Sequence, residues 1–416
     1  MVSIARKNLL EDIPRFLVAQ AGIMFAVSLV TIQTGIYAGF SRSSVSLIDN
    51  SDADLWVASE QLVQLEQTLP IPVAHLIAAR ELKGVARAEG LLFSGAQWYP
   101  TEGEITRTRL VGFDPLGTLY KPPAIVEGQL ADLEKPYGVI IDRMDADTLS
   151  VGSIGTPTRL NSINARVLGF TEGHTSMVSN PFVLTSLENA TAFLNSGQTS
   201  QITCQIPPGG GELSCENHLS RAEREPQDDI PPPPVLAASD LITYVLVEAE
   251  PGQDLAALQQ ALEQNLPGTK TFTAPELRNI TQHYWRVRTG IGFVLGVGAA
   301  VGAIVGTVVV SQILYSSVSD HLKEFGTLKA IGASARTIYG VIIEQSLWMA
   351  VLGYLPGMAL CLGVSSWAAA SQGILIVISP LSAAGVFGLT AVMCVGSAIF
   401  AIQKVNRVDP AIVFKA

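Results

Sequence analysis

Residues 312–346 read QILYSSVSDHLKEFGTLKAIGASARTIYGVIIEQS, a polar interruption between two long apolar runs. Lys323, Lys329 and Arg336 are its cations, with Asp320, His321 and Glu324 among them. Val318, Leu322, Phe325, Leu328 and Ile331 recur at spacings of four and three, the apolar stripe of a helix. Ser319 or Asp320 can cap its start, Gly332 can end it, and Ser334 can cap the helix that follows. A short amphipathic helix slung between two membrane spans has to dock on something. Either it lies on lipid headgroups, or it carries motion in from a soluble partner. On the second reading Asp320, His321, Leu322, Lys323, Glu324, Phe325, Leu328, Lys329 and Gly332 form the coupling surface. Phe325 and Leu328 then enter a cleft on that partner, with the charges around them setting orientation.

The rest of the chain fits a membrane protein with a substantial soluble part. Mean hydropathy is +0.36, with 48% hydrophobic and 15% charged residues in 416. The net charge of −10 is unevenly spread. Residues 41–289 carry 17 basic and 30 acidic side chains, and the remainder 9 and 6. An acidic surface of this kind argues against nucleic-acid binding. Four stretches are long and apolar enough to span a bilayer: 16–40, 290–315, 338–370 and 382–402. Only the third holds a charge, Glu344, which is either a functional group or a carboxylate reaching water. Lys and Arg cluster at 6–15, 323–336 and 404–415. This places both termini and the 316–337 loop in the cytoplasm, and the 41–289 domain and the 371–381 loop outside. Residues 1–15 read as a short amphipathic helix, 403–416 as a tail, and the first span as an uncleaved anchor.

Gly298, Gly302 and Gly306 recur every four residues in the second span, a pattern that lets helices approach closely. The expected partner is the same span, or the first span, of a second copy. Gly353, Pro356 and Gly357 predict a kink in the third span. Cys361 and Cys394 fall within spans, whereas Cys204 and Cys215 lie in the external domain and read as a disulfide or as two free thiols. The external domain is mixed α and β. Strand-like runs are 54–59, 106–112, 138–142, 159–169 and 242–248, and helical candidates are 72–81, 187–194 and 254–266. Residues 200–235 contain PPGGG, AEREPQDD and four consecutive prolines. Such a stretch is too poor in apolar groups to fold alone and reads as an exposed insertion.

The sequence carries no GxxxxGK[ST], HExxH, GxSxG or paired CxxC, and its five histidines are scattered. No catalytic or metal-binding set is therefore expected, and ATP, if used, is hydrolysed by another subunit.

The segment EFGTLKAIGA at 324–333, with Glu344 at the start of the next span, resembles the FtsX/MacB/LolC permeases of ABC systems. NITQHYWRVRTGIGF (279–293), VVVSQILYSSVSDHLKEFGTLKAIG (308–332), VLGYLPGMAL (351–360) and RVDPAIVF (407–414) are similar to the DevC-like subfamily of cyanobacteria. The resemblance implies an α+β membrane protein: four transmembrane helices, with a large MacB-type periplasmic domain between the first two. That family also places turns at Gly152 and Gly169. The resemblance further implies a homodimer in the bacterial inner membrane, and a separate ABC ATPase that holds ATP and Mg. A periplasmic membrane-fusion (adaptor) protein and a TolC-like outer-membrane channel complete the implied tripartite exporter of a lipid-like cargo. An FtsX-like signalling subunit that switches an external cell-wall hydrolase, without transport, is the alternative.

Overall fold

The computed structural model describes residues 13–173, 180–196, 199–205, 214–220, 232–321, 324–327, 331, 333–372 and 374–406. The chain divides into two compact units, residues 41–285 and the remainder. A long helix, α1 (Ile13–Ser43), leads into the first. There β1 (Leu55–Ser59), β2 (Ile71–Pro72), α2 (Val73–Arg80), β3 (Val85–Pro100) and β4 (Thr106–Phe113) follow in order. Then come β5 (Ile125–Glu127), β6 (Gly138–Asp142), β7 (Pro157–Leu160), β8 (Ile163–Thr171), β9 (Phe182–Ser186) and α3 (Leu187–Asn195). The unit continues with β10 (Thr199–Gln205), β11 (Ser214–Ser220), β12 (Leu241–Ile242), β13 (Tyr244–Ala249), α4 (Leu255–Asn265) and β14 (Thr269–Thr273). It closes into α5 (Ala274–Arg288).

Ten of these strands form one sheet in the order β14-β1-β13-β3-β4-β9-β6-β8-β5, with β7 pairing both β3 and β8. Both faces are buried. Leu55, Val57, Val139, Ile141, Val245 and Val247 enter one core, beneath Leu76 of α2, Phe193 of α3 and Leu258 of α4. Their neighbours Trp56, Ala58, Ile140, Tyr244 and Leu246 enter a second core on the other face. A strand covered on both sides has no polar face, so LWVAS and GVIID are apolar almost throughout. The helices start where side chains can satisfy free amides. Ser186 accepts from Asn189 N ahead of α3, and Asp254 accepts from Ala256 N ahead of α4.

The sheet differs from the sequence expectation at four places. The run 159–169 is a hairpin, with Leu160 opposite Ile163 and Asn161 at φ 50 in the two-residue turn. The run 242–248 is broken at Thr243, whose hydroxyl takes the place of ladder bonds: it accepts from Phe93 N at 2.7 Å and donates to Phe93 O at 2.9 Å. Gly169 lies inside β8 rather than at a turn, where a Cβ would stand 2.5 Å from Glu127 O. Within the segment read as an unstructured insertion, β10 and β11 form a two-stranded ribbon apart from the large sheet. Ladder hydrogen bonds need no apolar burial, so a polar sequence is no bar to it.

One carboxyl of this unit is held in an unusual state. Burial, aided by neighbouring Asp142, pushes the Asp145 carboxyl up to about 7, and its Oδ2 has no hydrogen-bond partner among the described residues. The folded state therefore holds this proton more tightly than the unfolded chain. The resulting stability is complete below the ordinary carboxyl range and is lost as pH rises through about 7. Asp145→Asn should raise the melting temperature at about pH 8 and leave it nearly unchanged at about pH 2.5, where the carboxyl is protonated in both states. An equal shift at both pH values would contradict this assignment.

The second unit contains α6 (Ile291–Asp320), α7 (Ala335–Gln372) and α8 (Pro380–Asn406) together with α1, four helices long and apolar enough to cross a membrane. The glycines of α6 seat α1 of the same chain. A Cβ at Gly298 would meet Gln33 Nε2 at 2.8 Å, at Gly302 Leu29 Cδ2 at 2.9 Å, and at Gly306 Ala26 Cβ at 2.6 Å. As the α6 numbers rise the α1 numbers fall, the signature of an antiparallel pair. Gly357 of α7 likewise seats Val27, at 3.1 Å, so α1 packs on two helices. Pro356 sits inside α7, which is helical throughout its range. The α8 helix is tied on by Ser397 Oγ donating to Thr307 O at 3.0 Å and by Tyr354 OH donating to Ala383 O at 2.9 Å. After α7 the chain folds back on α1, Val377 N donating to Gly35 O at 3.1 Å.

Candidate functional site

Where it is described, the junction of α6 and α7 departs from the sequence expectation at its start. Ser319 and Asp320 do not start a helix. They end α6, where Ser319 Oγ donates to Tyr315 O at 2.7 Å. The rod continues because Tyr315 to Asp320 holds no Gly or Pro to stop it. His321 follows as its C-cap, with Nδ1 2.9 Å from Ser317 O. Residues 324–327 form a helical turn, entered by Phe325 N donating to His321 O at 3.1 Å. Thr327 O accepts from Ile331 N at 3.0 Å, and Ser334 then caps α7 by accepting from Thr337 N at 3.3 Å.

The side chains sort into two sets. Phe325 is only 3% exposed and packs within this unit's own core with Val318, Ile338 and Ile342. The expectation that it projects into a partner's cleft is therefore corrected: its stripe continues the buried face of α6 through Val310, Leu314 and Val318. Glu324, Thr327 and Arg336 are exposed, as is Ile331 at 80%. The loop so presents a small apolar and charged edge held from behind by an aromatic seat. Leu322, Lys323, Leu328, Lys329 and Gly332 lie outside the described residues, as do residues 1–12.

Two polar ties at this end of the unit escape sequence reasoning. Arg15 of α1 forms an ion pair with Asp320 of α6. Gln345 of α7, 2% exposed, donates from Nε2 to Ser317 Oγ at 3.1 Å. A buried amide in an otherwise apolar run is the signal that could have found Gln345, since a polar group there needs a partner. Its neighbour Glu344 is half-buried. No cluster of three metal-ligating side chains occurs among the described residues. In the other unit the backbone register sets Cys204 directly opposite Cys215 across the β10–β11 ribbon.

Residues 16–265 match the MacB-like periplasmic core domain, and residues 294–410 the FtsX-like permease C-terminal domain. The first match covers more than half of the chain. The chain belongs to the FtsX/MacB-type permeases. The second match covers α6 from residue 294, the loop, α7 and α8, so the 316–337 loop lies inside the permease domain. This FtsX-like permease is 25% identical over 171 residues to the pyoverdine export ATP-binding/permease protein PvdT of Pseudomonas fluorescens. It is 25% identical over 184 residues to the macrolide export ATP-binding/permease protein MacB of Bdellovibrio bacteriovorus. The alignments cover 40% and 42% of this chain, and 26% and 28% of those proteins, so the chain spans about a quarter of the length of the curated relatives it matches. Among solved structures it is similar to the periplasmic region of MacB from Actinobacillus actinomycetemcomitans, with TM-score 0.33, 7% identity, and coverage of 57% of this chain and 96% of that one. It is also similar to the extracellular domain of the transporter YknZ from Gram-positive bacteria, with TM-score 0.34, 9% identity, and coverage of 53% and 99%. With four helices of spanning length, this FtsX-like permease is a multi-pass membrane protein with a large mixed α/β domain between its first two spans.

Proposed function

We propose that this FtsX-like permease is the membrane subunit of a mechanotransmitting ABC exporter driven by a separate ATPase. The observation that carries the reading is the loop at 316–337: an exposed edge of Glu324, Thr327, Ile331 and Arg336, fixed to the spans by the buried Phe325. PvdT and MacB, by their names, join ATP binding to a permease and act in export, which supports an ATPase partner here. ATP and Mg belong to that partner. Its closure would press on the loop, the helices would carry the displacement outward, and the external domain would respond. Two copies of the chain would work together with an adaptor and a TolC-like channel, moving a lipid-like cargo as the DevC-like resemblance implies. The cations flanking the spans support a cytoplasmic position for the loop and both termini.

Purification of the tagged chain from native membranes tests this. An ABC ATPase, an adaptor and a channel should co-purify. Recovery of a cell-wall hydrolase in place of adaptor and channel would replace export by signalling. Orientation is checked with single cysteines on a background lacking the native four: an impermeant thiol reagent added outside cells should label position 235 and not 327.

We also propose that Cys204 and Cys215 are bridged. Denatured without reductant, the protein should take up thiol adducts only at Cys361 and Cys394, which are free. Four adducts would remove the bridge.

A further inference from the structure

We infer that Phe325 is a positioning residue, the peg through which displacement of the loop moves α6 and α7 together; the inference rests on the coupling reading of the same loop. Phe325 shares a packed cluster with Leu314 and Val318 of α6 and with Ile338 and Ile342 of α7, all buried. The end residues of this turn, Glu324 and Thr327, are exposed. A push on that edge therefore acts on a backbone whose one aromatic side chain is wedged into the helix bundle. Packed interiors are stiff and transmit displacement rather than absorb it. The polar ties act at the same level. Gln345 to Ser317 joins α7 to α6, and Arg15 to Asp320 joins α1 to α6. The loop, the two helices and the start of α1 are thus linked by one aromatic seat and two polar contacts within this unit. A side chain already enclosed by its own chain offers a partner no surface, so Phe325 and the docking edge have separable roles.

The test uses the full permease with its ATPase, reconstituted in phospholipid vesicles. A fluorescent probe sits at the exposed Val126 of the external domain. Two quantities are read: ATPase retained on the permease, and the ATP-driven change in the probe. Phe325→Ala should retain the ATPase while the probe response falls by about tenfold, within the range of allosteric coupling energies. Phe325→Met, which refills the seat with a flexible apolar chain, should restore most of the response. Thr327→Trp, on the exposed edge, should instead reduce ATPase retention. Loss of the ATPase from Phe325→Ala would make Phe325 a docking residue and overturn the inference, as would a full probe response. If Phe325→Ala does not insert, Phe325→Leu carries the test: retained ATPase with a partial response supports the peg, and a full response overturns it. If the wild-type permease retains no ATPase, the coupling reading fails first and the inference falls with it.

Discussion

Gly306→Leu should dismantle the packing of α6 against two helices at once. Gly306 is buried, and even a Cβ there would stand 2.6 Å from Ala26 Cβ of α1 and 2.9 Å from Met393 Sδ of α8. Methionine can swing aside, but Ala26 cannot move without its backbone. The strain of overpacking a filled core is typically about 1–3 kcal/mol, and a leucine wedged between the Ala26 and Met393 side chains belongs at the upper end. The expected result is a sharp fall in the yield of monodisperse protein on size exclusion and a lower melting temperature. Gly296 supplies the control: it lies on the same helix with nothing within 4 Å of a built Cβ. Gly296→Leu should behave like wild type. Equal behaviour of the two variants would show that the glycine ladder does not seat α1.

The second large effect concerns a buried carboxylate of the 41–285 unit. Glu89 on β3 is 5% exposed, and accepts from Thr118 N at 2.8 Å and from Leu119 N at 3.0 Å. Those two amides belong to the loop after β4, and Leu119 itself is buried in the second core. Glu89→Ala would release both donors and remove the anchor that closes the loop over the sheet. Thr118 is exposed and its amide can turn to water, whereas Leu119 N is buried; leaving one buried donor unsatisfied sets the expected loss at about 1–3 kcal/mol. Glu89→Gln keeps one acceptor oxygen and should lose less, and exposed Glu60→Ala should lose almost nothing. Thermal melts of the full chain in detergent give the ranking. Glu89→Ala melting with wild type would show that the loop holds itself.

How much of this was legible beforehand depends on the range of the interaction. The helices at 73–80, 187–195 and 255–265 were readable because apolar spacing and a cap or proline mark each locally. GVIID was readable because a doubly covered strand is apolar throughout. The long β3 was not, since Gly90 and Gly95 interrupt its pattern. Gly90 is there for close packing: a Cβ would stand 2.9 Å from Leu187 Cδ2 and 3.2 Å from Leu76 Cδ2. The glycines of α6 announced a helix contact but not with which helix, because Gly298, Gly302 and Gly306 would look the same against any neighbour. The polar interruption between the second and third long helices was readable, yet the direction of Phe325 was not. An apolar stripe states that a face is covered and not by what. Val310, Leu314 and Val318 at spacings of four held the answer, since the stripe joins their row once α6 is carried through to Asp320. Arg15 with Asp320, and Ser317 with Gln345, are pairs that only the folded chain brings together.

A photo-activatable side chain at Thr327, introduced in the full-length permease and illuminated in intact cells, bears most directly on where the driving subunit sits. Thr327 is exposed on the loop between α6 and α7, and Ile374 is exposed on the loop between α7 and α8. Position 327 should capture an ABC ATPase, and position 374 should capture none. An ATPase caught from 374 and not from 327, or from neither, would contradict the placement of the ATPase on the 316–337 loop.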